Sequence, residues 1–448
     1  MDAQRIGRLR RDVRCFLSGF GDCFSRSEGR GHLERYVSGQ VSYLQRKSVE
    51  PMADHARVPP RTLQDFLAIH TWDHERAVDR LQQMVVEDHA DPQAIGLIDE
   101  TTYPKRGHQT VGVQRQWCGA RGKVENCVSS VALGYANLCG EFRCTLDHRL
   151  YLPKSWADDA DRRQRVGVPE SMEYRPKWEI SLEMLQRAQS NGVRLAWLTF
   201  DEWYGRNTVF LARLDAMGQT YVAEVPSDFH GWLIEPKVLL KEHHPIRRGG
   251  RRRRYPRLMR QSAPANRVDV LCRYSYPMRD QPWIDYHVKD GHKGPIVWRI
   301  KAARFQISQQ VDAAHHGRVL PSAPRWLILG RHPITDETKY FVSNAPPGTP
   351  LERIVHVAFS RWHIERNFQD EKDQLGLDHF ECRRYQAVQR HLVLTAISHL
   401  FLARTRLKLI EVAEVEGKKN PHPPTGPTSN RCFTASRNHA RDATPCLV

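Results

Sequence analysis

The sequence has no cysteine framework. Its ten cysteines are scattered over 448 residues, and no two form a Cys-x-x-Cys pair, so a structural zinc site is not expected and the thiols read as reduced and mostly buried. A long apolar run is also missing. The best candidate, His391 to Ala403, is short and carries two histidines, which predicts no membrane span. Met1 to Phe20 places arginines and aspartates where a secretory leader needs a continuous apolar stretch, so a cytoplasmic protein is expected. Negative charge is scarce too. Fifty-one acidic residues face 68 basic ones, a formal charge of +17 with a pI near 9.6. That excess points to a polyanionic partner, nucleic acid ahead of an anionic membrane.

The apolar pattern divides the chain. Through residue 93 it has helical spacing, as in Ile6, Leu9, Val13, Phe16 and Leu17, which predicts a helical N-terminal domain over 1–93. Pro59-Pro60 breaks it before two further helices, a pattern shared by a helix-turn-helix and by an ordinary bundle. From Ala94 the period changes. Strands are expected at Ile95 to Asp99, Thr110 to Trp117 and Asn126 to Tyr135, then a helix from Lys177 to Gln189 and a strand from Leu195 to Phe200. Three consecutive strands suggest an antiparallel meander; the later helix and strand imply a crossover and a parallel neighbour. Further strands are expected at Tyr221 to Val225, Trp298 to Phe305, Arg325 to Gly330 and Tyr340 to Ser343. One helix is expected from Leu351 to Gln374 and another from Gln389 to Leu402. The basic run from Arg247, which includes Arg251, Arg252, Arg253 and Arg254, repels itself unless an anion holds it.

Three acids stand out. Asp99 and Asp201 each close an apolar run, where a carboxylate is costly without a cation or a partner. Glu365 lies on a helix with Arg361 and Lys372, four and seven residues apart and hence on one face. Two strand-end aspartates and a helical glutamate can form an oxygen cage for two magnesium ions, equipment for phosphodiester chemistry. Turn residues and an exposed ion-pair face would read the same way locally.

Arg361-x3-Glu365-x6-Lys372 resembles the Tyr-x2-Arg-x3-Glu-x6-Lys signature of bacterial insertion-sequence DDE transposases, with Ala358 at the tyrosine position. Two more stretches resemble one branch of that class. The first is Gly96-Leu-Ile-Asp-Glu-Thr-Thr-Tyr-Pro-Lys105, continuing through Val111-Gly112-Val113 and Gln116-Trp117-Cys118-Gly119. The second is Leu150-Tyr-Leu-Pro-Lys-Ser-Trp156 with Asp201-Glu202-x-Tyr204-Gly205. The likeness runs in order over about residues 30–405. It implies an α/β fold, an RNase H-like mixed sheet with an insertion between the second aspartate and the glutamate, preceded by the helical domain. The expected division is a helical DNA-binding domain 1–93, catalytic core 94–219, an insertion with a basic loop 220–320, the second part of the core 321–405, and an unstructured tail 406–448.

The resemblance implies Asp99, Asp201 and Glu365 as catalytic metal ligands for Mg2+, with Mn2+ as a substitute. Arg361, Lys372 and the run Arg251–Arg254 are expected on DNA phosphates. Glu100 and Glu202 are expected to point away from the site. Trp298 and Trp362 are candidates for stacking a base displaced from the duplex, although each could equally be a core residue; Trp326 reads as core. The implied activity is cut-and-paste transposition: binding double-stranded DNA at element ends, cleaving it and joining it to target DNA. The expected active species is a homodimer, nucleoid-associated when bound to DNA. A catalytically silent DNA-binding derivative and a nuclease without strand transfer are the alternatives.

Overall fold

In the computed structural model of the chain, the described residues are 3–239, 256–291, 294–310 and 319–419. Five helices come first: α1 (Ala3–Ser18), α2 (Ser27–Gln40), α3 (Val49–His55), α4 (Pro60–Ala68) and α5 (His74–His89). Their apolar stripes close on a long helix at the other end of the chain, Tyr385–Lys419. Phe16 meets Phe401 with ring centroids 5.5 Å apart. The Tyr36 hydroxyl lies 2.8 Å from His391 Nδ1. The Arg390 guanidinium donates to the Leu67 and Trp72 carbonyls, both at 3.0 Å. Residues 3–405 thus belong to one compact unit, and the N-terminal helices, expected as a domain of their own, are part of it. From Arg406 a second unit begins. Of the stretch expected as an unstructured tail, residues 406–419 are helical and residues 420–448 lie outside the described residues.

Apart from Val238–Leu239 and Arg257–Leu258, which pair with each other, the described strands form one mixed sheet. Its first six are β1 (Ile95–Pro104), β2 (Gln114–Cys118), β3 (Lys123–Ala136), β4 (Arg143–Leu150), β5 (Trp197–Phe200) and β6 (Tyr221–Val225). β3 pairs antiparallel with β1, β2 and β4. β5 lies parallel between β1 and β6. The expected meander and parallel crossover are both present, with the helix Lys177–Ser190 as the crossover. β4 was not anticipated. Its sequence, RCTLDHRL, reads as polar, yet nearly all of it is buried. The charge is tolerated because it is paired: Arg149 with Asp147 at 3.0 Å, and His148 with Glu371 at 3.0 Å.

The sheet does not stop at position 220. β6 pairs antiparallel with the strand Thr338–Ser343, which pairs with Arg325–Arg331, which pairs with Gly294–Gln310. The segment expected as an insertion over 220–320 therefore shares its first strand with the sheet that holds β1 and β5, and its long strand Gly294–Gln310 extends that sheet. The run Arg251–Arg254 lies outside the described residues.

The helix expected over 351–374 is two helices, Leu351–Phe359 and Trp362–Leu375. No proline or glycine marks the break; Ser360 and Arg361 make it. The second helix ends at Gly376, which adopts φ +70°, a left-handed conformation glycine takes without strain. Ile364 and Phe368 anchor this helix in the core beneath the sheet, beside Leu97 and Ala132.

Candidate active site

β1 and β5 place the two aspartates. Ile98 and Phe200 are partners in the parallel ladder, so Asp99 and Asp201 each stand one residue beyond that pair, on neighbouring strands whose ordinary spacing is about 4.8 Å. β1 runs on past Asp99 to Pro104, so Asp99 lies inside its strand rather than at its end. Asp201 leaves β5 and caps the short helix Glu202–Gly205, its Oδ1 accepting from the amides of Trp203 at 3.1 Å and Tyr204 at 3.3 Å. That helix sits directly on β6. A Cβ on Gly205 would fall 1.9 Å from the Glu224 carbonyl oxygen, so only glycine permits the approach.

Burial and proximity set the electrostatics. Burial, reinforced by Asp201 and opposed by Arg361 and the Glu100 amide, pushes the Asp99 carboxyl up to about 7. Burial also raises Asp201, against the Tyr204 amide and Arg361. Two buried carboxyls side by side, both raised first by loss of water, are the kind of perturbed pair that clusters at functional sites. Glu365 reaches the pair through Arg361, which stands at the N-terminus of its helix. The guanidinium lies 2.8 Å from Glu365, 3.2 Å from Asp99 and 3.6 Å from Glu224 on β6. Burial alone would lower its proton affinity; Asp99, Glu365, Glu224 and Asp201 outweigh that and raise it.

Glu224 had no signal in the sequence, being one acid in the short apolar strand YVAEV. Lys339 also holds it, at 2.7 Å. Glu100, expected to face away, pairs with Lys177 at 2.7 Å, and its charge still raises Asp201. Among the described residues the buried Tyr204 hydroxyl has no hydrogen-bond partner, and Glu100, Asp99 and Asp201 are the charges that act on it.

The other expected contacts divide. For Lys372, burial lowers the amine's pKa, and Asp378 and Cys118 are its foremost electrostatic neighbours. Trp298 is only 5 % exposed, wedged between Phe359 and His332 at ring-centroid distances of 5.1 and 5.4 Å. It is a core residue with no face open to a base, which corrects the stacking expectation. Trp362 is half-buried against His363. Trp326 is half-buried, with Arg304 over its ring at 4.9 Å. The aromatic side chain exposed beside the aspartates is Trp203, 44 % accessible.

As they stand, no three acidic, histidine or cysteine side chains among the described residues form a ready ion cage; Arg361 occupies the space between Asp99 and Glu365. The donor chemistry nevertheless suits a hard divalent ion. The groups are carboxylates, and burial raises both Asp99 and Asp201, a setting in which a bound cation would favour their charged forms.

The family model described as DDE superfamily endonuclease matches residues 19–295, well over half the chain. A curated relative, the probable transposase for insertion sequence element IS701 of Microchaete diplosiphon, is 26 % identical over 194 residues, covering 43 % of this chain and 48 % of that protein. The chain thus spans about half the length of the relative it matches.

Proposed function

Because this chain belongs to the DDE superfamily endonucleases, we propose that it is a DNA transposase that binds the ends of its own element as a dimer, cuts them and joins them to target DNA. The observation that carries the reading is the bridging of Asp99 and Glu365 by the single guanidinium of Arg361, with Asp201 on the strand beside Asp99 and its charge acting on the same guanidinium. Asp99, Asp201 and Glu365 would hold Mg2+, or Mn2+ in its place. Bound there, two such ions supply activation of the attacking oxygen and charge stabilisation of the departing one.

The chain's own residues do the rest. The ladder between β1 and β5 fixes the aspartates relative to each other. The Asp201 cap holds one carboxylate oxygen toward its own helix amides and leaves the other for an ion. Arg361 holds Asp99 and Glu365 together before substrate arrives, and its planar fork suits a phosphate when one displaces the carboxylates. Among the described residues no helix is long and apolar enough to cross a membrane.

The test is incubation with the genomic DNA flanking the coding sequence, followed by sequencing of cut and joined ends. Cleavage and strand transfer are expected in Mg2+ or Mn2+, and binding without cleavage in Ca2+, whose looser coordination misplaces the reacting oxygens. Asp99→Ala, Asp201→Ala and Glu365→Ala should each lower cleavage by ~10²–10³-fold or more while leaving DNA binding in place. Cutting without joined products would make the protein a nuclease, and binding with no cutting in any metal a silent derivative. Strong cleavage in EDTA would overturn the metal mechanism.

A further inference from the structure

The hairpin formed by β2 and β3 carries charge and apolar surface that the carboxylate site does not use. β2 is an edge strand, paired with β3. Along it Gln114, Gln116 and Cys118 turn inward while Arg115 and Trp117 face solvent. Trp117 is 63 % exposed, and its cross-strand partner Val124 is 48 % exposed. Arg121 and Lys123 are exposed at the turn. The opposing acid is Glu125, 3.8 Å from Arg121 and 3.5 Å from Lys123, so cations remain in excess. A bare tryptophan among cations is poorly served by water and well suited to a sugar–phosphate surface.

The hairpin curls back toward the site. The Ala120 amide and the Cys118 thiol each lie 3.5 Å from the Thr102 hydroxyl. Thr102 is three residues beyond Asp99 on β1, about 10 Å at ~3.3 Å per residue. The tip thus borders the carboxylates at roughly the length of three base pairs, each ~3.4 Å.

We propose that this hairpin is a clamp on duplex DNA: Arg115, Arg121 and Lys123 grip backbone phosphates about three nucleotides from the bond being cut, and the Trp117 ring lies on the intervening sugars. The proposal rests on the reading of the site as one that cuts DNA. It assigns the hairpin to positioning rather than to sequence reading.

The experiment measures metal-free binding to a 30-base-pair duplex of arbitrary sequence over a range of salt. Arg115→Gln, Arg121→Gln and Lys123→Gln should each flatten the slope of log K against log salt by about one unit, as expected when one phosphate is no longer neutralised. Arg115→Lys and Arg121→Lys should keep the wild-type slope, and unchanged melting of all five exposed-site variants shows that the fold is intact. On a duplex whose cut has been mapped, neutral methylphosphonates two to four nucleotides from that bond should weaken the wild type and leave the triple glutamine variant no weaker than it already is. Wild-type slopes in the glutamine variants, or equal methylphosphonate effects in both proteins, would overturn the clamp while leaving the transposase reading intact. A wild type that binds no duplex would overturn both.

Discussion

Arg361 touches Asp99, Glu224 and Glu365 at once, so it partly stands in for the positive charge the acids demand. A divalent ion entering the site must compete with that guanidinium. Arg361→Ala should therefore bind Mg2+ more tightly than the wild type, seen as a larger Mg2+-induced rise in melting temperature, while DNA cleavage falls for want of the phosphate grip. An equal or smaller rise would place Arg361 outside the ion's field. At this scale the sequence was readable where chemistry is spaced along one element: the pair Arg361 and Glu365, four apart on one helical face, is an ion pair in the structure. It was not readable where contact depends on other strands. Glu224 meets Arg361 only because β6 lies beside β5. Trp298 is buried because Phe359 comes from a helix some sixty residues later, a fact no local pattern carries.

The Glu365 helix is held from its inner face as well. Glu371 is fully buried, 3.0 Å from His148 Nε2 on β4 and 3.3 Å from His399 Nδ1 on the C-terminal helix. Burial alone would raise its carboxyl; the two imidazoles reverse that and hold it well below the usual carboxylate range. A depressed folded-state pKa stabilises the protein above the unfolded value and loses that contribution as pH falls. Glu371→Ala should cost about 3–5 kcal/mol near neutral pH, and the gap to wild type should narrow below about pH 4.3, the ordinary glutamate value. A gap independent of pH in denaturant melts would show that the charge contributes nothing. The same network explains why β4 escaped the pattern. Strands are recognised by alternating apolar residues, and β4 instead buries Asp147, paired with Arg149 two residues on, and His148, paired with Glu371 far along the chain.

Over the whole molecule, a formal charge of +17 gives a duplex a long-range attraction that salt screens. The run Arg247 to Arg254 holds six arginines in eight positions. Replacing them with serine should weaken binding to all duplexes alike and flatten the salt dependence by about one unit for each phosphate the run had neutralised; an unchanged slope would leave the run in solvent. The order meander, crossover helix, strand and later helix was legible because each element announces its period. The closing of the N-terminal helices onto the far end of the chain was not, since an amphipathic stripe does not name its partner.

That closure has a consequence for the time at which the protein becomes whole. Tyr36 waits for His391, a separation of 355 residues, and β6 waits for the strand at 338–343. At a synthesis rate of about 5–20 residues per second, the first helices spend roughly 18–70 s after leaving the ribosome without the surface that buries them. Glu365 and the helix that clamps it emerge in the last fifth of the chain. A nascent chain interrupted before residue 361 carries both aspartates but lacks Arg361 and Glu365, and one interrupted before residue 385 still lacks the helix that buries its opening helices.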